Sequence, residues 1–140
     1  MISPKLLQAY LSTRYAIQDK SLNCSLSIGD INSVLNEFLV LNKVSSWAII
    51  TAFNPYSKIR SDTQNTHSNE QLLNKLKEHQ YTYLESKAID PLNNWPVEDG
   101  YMILNISFTS AVSLAKSFKQ NAIIFGETHS APKLIDCLVD

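Results

Sequence analysis

Polar side chains follow one strongly apolar stretch of the sequence, at the point where a strand must end. The stretch covers residues 47–53 (WAIITAF), and it leads through Thr51, Asn54 and Ser57 into a long polar segment. In open α/β sheets, ligands bind beyond strand ends, where the chain diverges and backbone groups are left unpaired. Hydroxyl and amide groups there predict a site for a hydrogen-bonding ligand. The simpler interpretation is a turn at Asn54-Pro55 in which Asn54 bonds its own backbone.

Two further segments carry groups that suit a binding site. Trp95 lies between polar residues and Glu98 follows three positions later, so a flat ring stands beside a carboxyl group. Gln120 and Asn121 precede a second apolar run, and buried amides need hydrogen-bond partners. The alternatives are that Trp95 folds back over the core beside a solvated Glu98, and that the two amides only close the end of a helix.

Metal and cofactor chemistry have no support in the sequence. His67, His79 and His129 have no second ligand at a recognised spacing, so we expect no metal site. No GxGxxG, P-loop or GxSxG pattern occurs, and three glycines are too few for a phosphate cradle. We therefore expect no cofactor. A nucleophile–base pair is also missing from the candidate residues, which favours binding over catalysis.

Composition narrows the class of protein. The chain has 140 residues, 44% of them hydrophobic and 18% charged, with a net charge of -1. These values predict one compact domain over residues 1–140, exclude disorder and disfavour nucleic-acid binding. The N-terminal residues lack the apolar core of a signal peptide, and no window reaches the roughly 18 apolar residues of a membrane span. We expect a cytoplasmic protein with reduced Cys24 and Cys137.

Hydrophobic periodicity predicts an α+β fold of α/β-like character, with helices packed on a mixed central sheet of about five strands. The predicted helices cover residues 4–17 and 67–79, the latter opened by a Ser68/Gln71 capping box, and two more begin at Asp30 and at Ser107 or Thr109. The predicted strands cover residues 23–28, 47–53, 81–88, 101–106 and 121–125, with an edge strand at 133–138.

The unbroken apolar runs 47–53 and 121–125 predict central strands, covered on both faces and adjacent or separated by one strand. If they are antiparallel, the end of the first meets the start of the second. Asn54, Gln120 and Asn121 then converge on one cleft, with Asn65 and the loop from Trp95 to Glu98 as its rim.

Four segments together resemble a bacterial family, the domain of unknown function family 3293. They are WAIITAFNPYS, the start of the third helix with Asn65 and Asn69, WPVE, and SFKQNAIIFGE. The resemblance covers about residues 10–138 and implies a shared polar site made of Thr51, Asn54, Pro55, Ser57, Asn65, Trp95, Glu98, Gln120 and Asn121. Asp99-Gly100 departs from the family pattern, which has a small residue or serine before the next strand. The family implies no activity, so the resemblance locates a site without naming its chemistry.

Three functions are compatible with these residues. The leading hypothesis is a binding or accessory module for a neutral, nucleobase- or nucleoside-like ligand. Its pocket is lined by Thr51, Asn54, Ser57, Asn65, Gln120 and Asn121, with Trp95 as a flat wall. The second is a metal-independent enzyme in which Glu98, with a raised pKa, acts as general acid or base. The third is a protein–protein adaptor that uses the edge strand at 133–138 by β-augmentation.

Overall fold

The computed structural model describes residues 1–139, which form one seven-stranded sheet with helices on both faces. The helices are α1 (Pro4–Ser12), α2 (Ser33–Leu41), α3 (Asp62–Glu78) and α4 (Phe108–Ser117). The strands are β1 (Arg14–Gln18), β2 (Asn23–Leu26), β3 (Ser46–Thr51), β4 (Thr82–Ile89), β5 (Glu98–Leu104), β6 (Ala122–Glu127) and β7 (Lys133–Asp136). Their order across the sheet is β2-β1-β4-β5-β3-β6-β7.

The two apolar runs form neighbouring central strands, as predicted. β3 and β6 pair antiparallel with Ile49 opposite Ile124, so the end of β3 lies beside the start of β6. Four consecutive residues of β3 and the first five of β6 are buried, because helices cover both faces of the sheet. β4 alternates and β7 is an edge strand, which confirms two further predictions.

The class is α+β as expected, but the sheet differs in two respects. It has seven strands rather than about five, and every neighbouring pair in the described chain is antiparallel rather than mixed. The helix predicted over 4–17 ends at Ser12, and the following residues form β1. Tyr15 and Ile17 point into the core from this strand, and its ladders to β2 and β4 outweigh the helical periodicity of the sequence.

Three predicted element boundaries are also wrong. α2 is capped by Asn32 rather than Asp30. α3 begins five residues earlier than the predicted range 67–79, because the capping box is formed by Ser61 and Gln64 and not by Ser68 and Gln71. β5 begins at Glu98, inside the segment predicted as a loop. Because of the last two differences, Asn65 lies on a helix and Glu98 on a strand, whereas both were predicted to lie in loops.

The two faces of the sheet carry separate hydrophobic cores. Trp47 belongs to one core together with Leu35 of α2. Ile50 belongs to the other, together with Leu76 of α3 and Ala115 of α4. The sheet is thus held between α2 on one side and α3 with α4 on the other.

α1 differs from the other helices because none of its residues is buried. The backbone N–H of Ile2, just before it, donates to the Asp136 carboxylate of β7 at 2.8 Å. Cys24 and Cys137 are both free thiols. No helix among residues 1–139 combines the length and the apolarity that crossing a membrane takes.

Gly126 of β6 leaves room for the Trp47 indole, which is fully buried. A Cβ at this position would overlap the ring, so we expect Gly126→Ala to lower the free energy of unfolding by about 1–3 kcal/mol. Urea denaturation measures the change. Gly29→Asn is the control, because Gly29 has a φ of +90° that Asn tolerates better than most residues and open space around it. Equal stability of Gly126→Ala and the wild type would contradict the close packing.

Candidate functional site

The chain leaves β3 through a turn in the left-handed region. Asn54 has a φ of 46° and Tyr56 a φ of 55°, and Ser57 follows with a φ of 59°. Non-glycine residues adopt this conformation at a cost, and such residues concentrate at binding and catalytic sites. Asn is the least costly choice at the first position because its short polar side chain can bond locally.

Asn54 has a partner for each of its polar groups. Its backbone N–H donates to Asn65 Oδ1 at 2.9 Å, and its Oδ1 accepts from Asn65 Nδ2 at 2.9 Å and from the backbone N–H of Arg60 at 3.1 Å. Its Nδ2 donates to Glu98 Oε2 at 2.8 Å, and its carbonyl accepts from the Ser57 N–H. A buried side chain thereby connects the end of β3 with α3 and β5.

Glu98 is the carboxyl group at the centre of these contacts. Its Oε2 accepts from Asn54 Nδ2 and, at 3.0 Å, from the indole Nε1 of Trp95. Burial raises the pKa of Glu98 above its ordinary value of 4.5, and the two donors partly oppose this change because they favour the ionised form. Oε1 accepts no hydrogen bond from the residues that the structure describes.

Arg60 is a member of the site that sequence analysis missed. Its Nε donates to Asn65 Oδ1 at 2.7 Å, and its Nη2 donates to the carbonyl of Ala52 at 3.1 Å and to the hydroxyl of Ser68. The guanidinium thus ties the turn to the last residues of the apolar run and to α3. No local pattern around Arg60 in the sequence indicates this role.

Gln120 and Asn121 lie on the opposite side of the same turn. Gln120 Nε2 donates to the carbonyl of Phe53 at 3.1 Å, and Asn121 Nδ2 donates to Ser57 Oγ at 2.8 Å. The N–H of Tyr56 donates to the carbonyl of Lys119 at 2.8 Å. The amides of β3 and β6 therefore meet where the antiparallel pairing brings the two strand termini together.

Thr51 is turned toward β5. Its hydroxyl donates to the carbonyl of Asp99 at 2.6 Å and accepts from the N–H of Phe53 at 3.0 Å. Thr51 therefore closes the ladder between β3 and β5, three residues before the left-handed turn begins at Asn54.

Tyr10 of α1 is the second residue that sequence analysis missed. Its phenol is half-buried and lies beside the hydroxyl of Ser57, and this partial burial raises its pKa to about 12, with a smaller contribution from the charge of Glu98. In the sequence Tyr10 is part of the apolar stripe of a helix, so its hydroxyl gives no signal of a site. α1 thereby places a phenol beside the turn.

The arrangement is a half-buried carboxyl group held by a rigid set of amides. Most amide groups of the site bond to each other or to the backbone, and the donors to Glu98 are fixed by α3 and by the Trp95 segment. In the described part of the chain, no group of three His, Cys, Asp or Glu side chains is placed to hold a metal ion. The group with free hydrogen-bonding capacity at the centre is Glu98.

The chain has an α+β fold, and its polar site lies where the ends of two central strands of the sheet meet. The family described as "Protein of unknown function (DUF3293)" matches residues 50–123, which is more than half of the chain. The chain belongs to this family, and the matched region contains every candidate residue from Thr51 to Asn121. No curated protein and no solved structure matches the chain.

Two substitutions at Asn54 separate backbone strain from side-chain bonding. Asn54→Gly keeps the left-handed conformation but leaves the partners of the side-chain amide without their hydrogen bonds. We therefore expect a loss of about 1–3 kcal/mol in the free energy of unfolding. Relative to this glycine variant, Asn54→Ala retains a Cβ at positive φ, so it should be less stable by about a further 1 kcal/mol. Thermal and urea unfolding of both variants measure the difference. Equal stability of the two variants would contradict the strain at this position.

The raised pKa of Glu98 predicts the sign of its effect on stability. The folded protein holds this proton more tightly than the unfolded chain, so Glu98 stabilises the fold fully below pH 4.5. That contribution is lost as the pH rises through the raised pKa of the folded state. Urea unfolding of the wild type and of Glu98→Gln across this range measures the effect, and the decline should be missing from the variant.

Trp95→Phe provides a second check, because it removes one donor to the ionised carboxylate. The pKa of Glu98, followed by the ¹³C signal of its carboxyl carbon, should rise further in this variant. A fall in the pKa would show that the indole does not stabilise the charged form.

Proposed function

We propose that this protein is a binding module for a small neutral ligand that donates an N–H hydrogen bond to Glu98. The single observation that carries this proposal is the unequal use of the two carboxyl oxygens. Oε2 is fixed by Asn54 and Trp95, whereas Oε1 receives nothing from the described residues. Oε1 can therefore accept a hydrogen bond from a ligand, and hydrogen bonds to a carboxylate are among the stronger ones in proteins.

The chemistry of the surroundings favours a planar, nucleobase- or nucleoside-like ligand. Trp95 is only partly buried and offers a flat surface next to Glu98. A neutral imide or amide N–H suits one free carboxyl oxygen, because a bidentate cation would need both. The amides of Asn54, Asn65, Gln120 and Asn121 act chiefly as the scaffold in this proposal, since their groups are largely taken up by internal bonds.

The cellular compartment and the domain organisation of the protein are part of this proposal. We infer a bacterial, cytoplasmic protein, since two free thiols suit a reducing compartment. We also infer that residues 1–140 act as one domain, because a single sheet connects all the described strands.

A second candidate is a metal-independent reaction with Glu98 as general acid or base. The raised pKa of this carboxyl group supports it, because a catalytic group works best when its pKa approaches the working pH. The phenol of Tyr10 and the hydroxyl of Ser57 lie close by as further proton-bearing groups. Turnover of a bound ligand would separate this candidate from simple binding.

An adaptor role through the edge strand has weaker support. β7 is only four residues long, and its Asp136 side chain already binds the N–H of Ile2. Short edge strands are a common means of avoiding strand addition.

Fluorescence of Trp95 tests the proposed ligand site. Trp47→Phe leaves Trp95 as the single tryptophan of a chain that has two, and this variant is titrated with uridine, cytidine, adenosine and guanosine. We expect saturable quenching by at least one nucleoside. Adding Glu98→Gln keeps an oxygen for Asn54 and Trp95 but puts an NH₂ donor where the ligand must donate, so the affinity should fall about tenfold or more.

Glu127→Gln is the matched control, because Glu127 is exposed and lies at the opposite end of β6. This variant should bind like the parent. Chromatography of the incubated nucleoside shows whether it is converted, which would favour the enzyme. Equal affinity in the Glu98→Gln protein, or no quenching by any of the four nucleosides, would overturn the proposal.

A further inference from the structure

Helix α2 carries an apolar stripe that the fold leaves exposed. Leu41, at the end of the helix, is 82% exposed, and Val34 and the preceding Ile31 are exposed as well. Phe38, which lies between them along the chain, is half-buried. The intervals between these residues are three, four and three, which is the spacing of the a and d positions of a coiled coil. We call this set the α2 seam; it consists of Ile31, Val34, Phe38 and Leu41.

The apolar surface continues beside the α2 seam. Phe38 lines a groove of about 590 Å³ together with Val44, Tyr81, Leu84 and Leu104, and the other lining residues are polar. An exposed apolar surface with a polar rim is typical of protein–protein interaction sites.

The charges at the two ends of the α2 seam indicate which partner fits it. Asp30 precedes the seam and Lys43 follows it, and both residues are exposed. Neither forms an ion pair with another residue of the described chain. A surface with an acidic group at one end and a basic group at the other is complementary to an antiparallel copy of itself.

We propose that the α2 seam forms a two-fold symmetric dimer with a second copy of this chain. The two helices run antiparallel, so that Ile31 packs against Leu41 of the other copy and Val34 against Phe38. The same register brings each Asp30 beside Lys43 of the other copy. The α2 seam shares no residue with the candidate ligand site, so the dimer is tested without a nucleoside.

The dimer is weak. α2 has nine residues and a length of about 14 Å, so the contact is small beside the roughly 800 Å² per partner of a stable complex. Glu37, the one charged residue within α2, approaches its own copy near the two-fold axis, and the like charges repel. We expect a dissociation constant of about 10–100 µM.

Sedimentation equilibrium of the full chain, at concentrations from about 10 µM to 1 mM, measures the association. The apparent mass should rise with concentration from that of one chain towards that of two. Leu41→Lys puts an ammonium group into the α2 seam and should weaken the dimer about tenfold or more. The matched control is Leu92→Lys, because Leu92 is 75% exposed in the segment between β4 and β5 and the change of charge is the same. This control should associate like the wild type.

Two charge reversals test the antiparallel register. Asp30→Lys and Lys43→Asp should each weaken the dimer about three- to fivefold, because each places like charges together at both ends of the interface. The double variant restores both ion pairs and should associate like the wild type. Lys43 has a φ of 57°, a conformation that Asp also adopts, so the reversal should leave the fold intact. Circular dichroism of every variant checks this.

A monomer at all concentrations, or equal association of Leu41→Lys and the wild type, would overturn the dimer. A double variant that associates no more tightly than the single reversals would contradict the antiparallel register. Glu37→Gln adds an independent check of the two-fold axis, because removing the repulsion there should tighten the dimer about twofold. Unchanged association of this variant would contradict the proposed position of the axis.

Discussion

The left-handed conformation of Asn54 is the constraint on which the site depends. At this residue the chain turns out of β3, and all of its polar groups find partners within a few residues of sequence or across the sheet. A side chain that both tolerates positive φ and bonds on three sides is rare, and Asn combines the two properties. Removing it would free α3, β3 and β5 from one another at the same point.

The amides therefore form a scaffold that holds Glu98 in place, and Glu98 is the group that remains able to bind a ligand. Asn65 is saturated by Asn54 and Arg60, and the Nε2 of Gln120 donates to two backbone carbonyls. The protonation of Glu98 follows from two opposed effects, burial that favours the neutral acid and two N–H donors that favour the ion. Burial prevails, so the pKa of Glu98 lies above its ordinary value.

Sequence analysis found the centre of the fold but not its periphery, for physical reasons. The apolar runs of β3 and β6 permit only buried strands, whereas β1 is formed by pairing with β2 and β4, which no local pattern contains. The start of α3 was ambiguous because Ser61/Gln64 and Ser68/Gln71 fit the same capping pattern. The earlier start prevails in the structure and puts Asn65 on the first turn, beside Asn54. Arg60 and Tyr10 act through contacts across the fold, so their roles could not be predicted.

β5 carries Glu98 on one face and Asp99 on the other, so the position of this strand determines where the carboxyl group of the candidate site lies. β5 is paired along both edges, with β3 and with β4, and a Cβ at Gly100 would come within 2.7 Å of the Ile50 carbonyl. A strand packed this closely has no second register to adopt without losing two ladders. β5 therefore gives the side chain of Glu98 a rigid support.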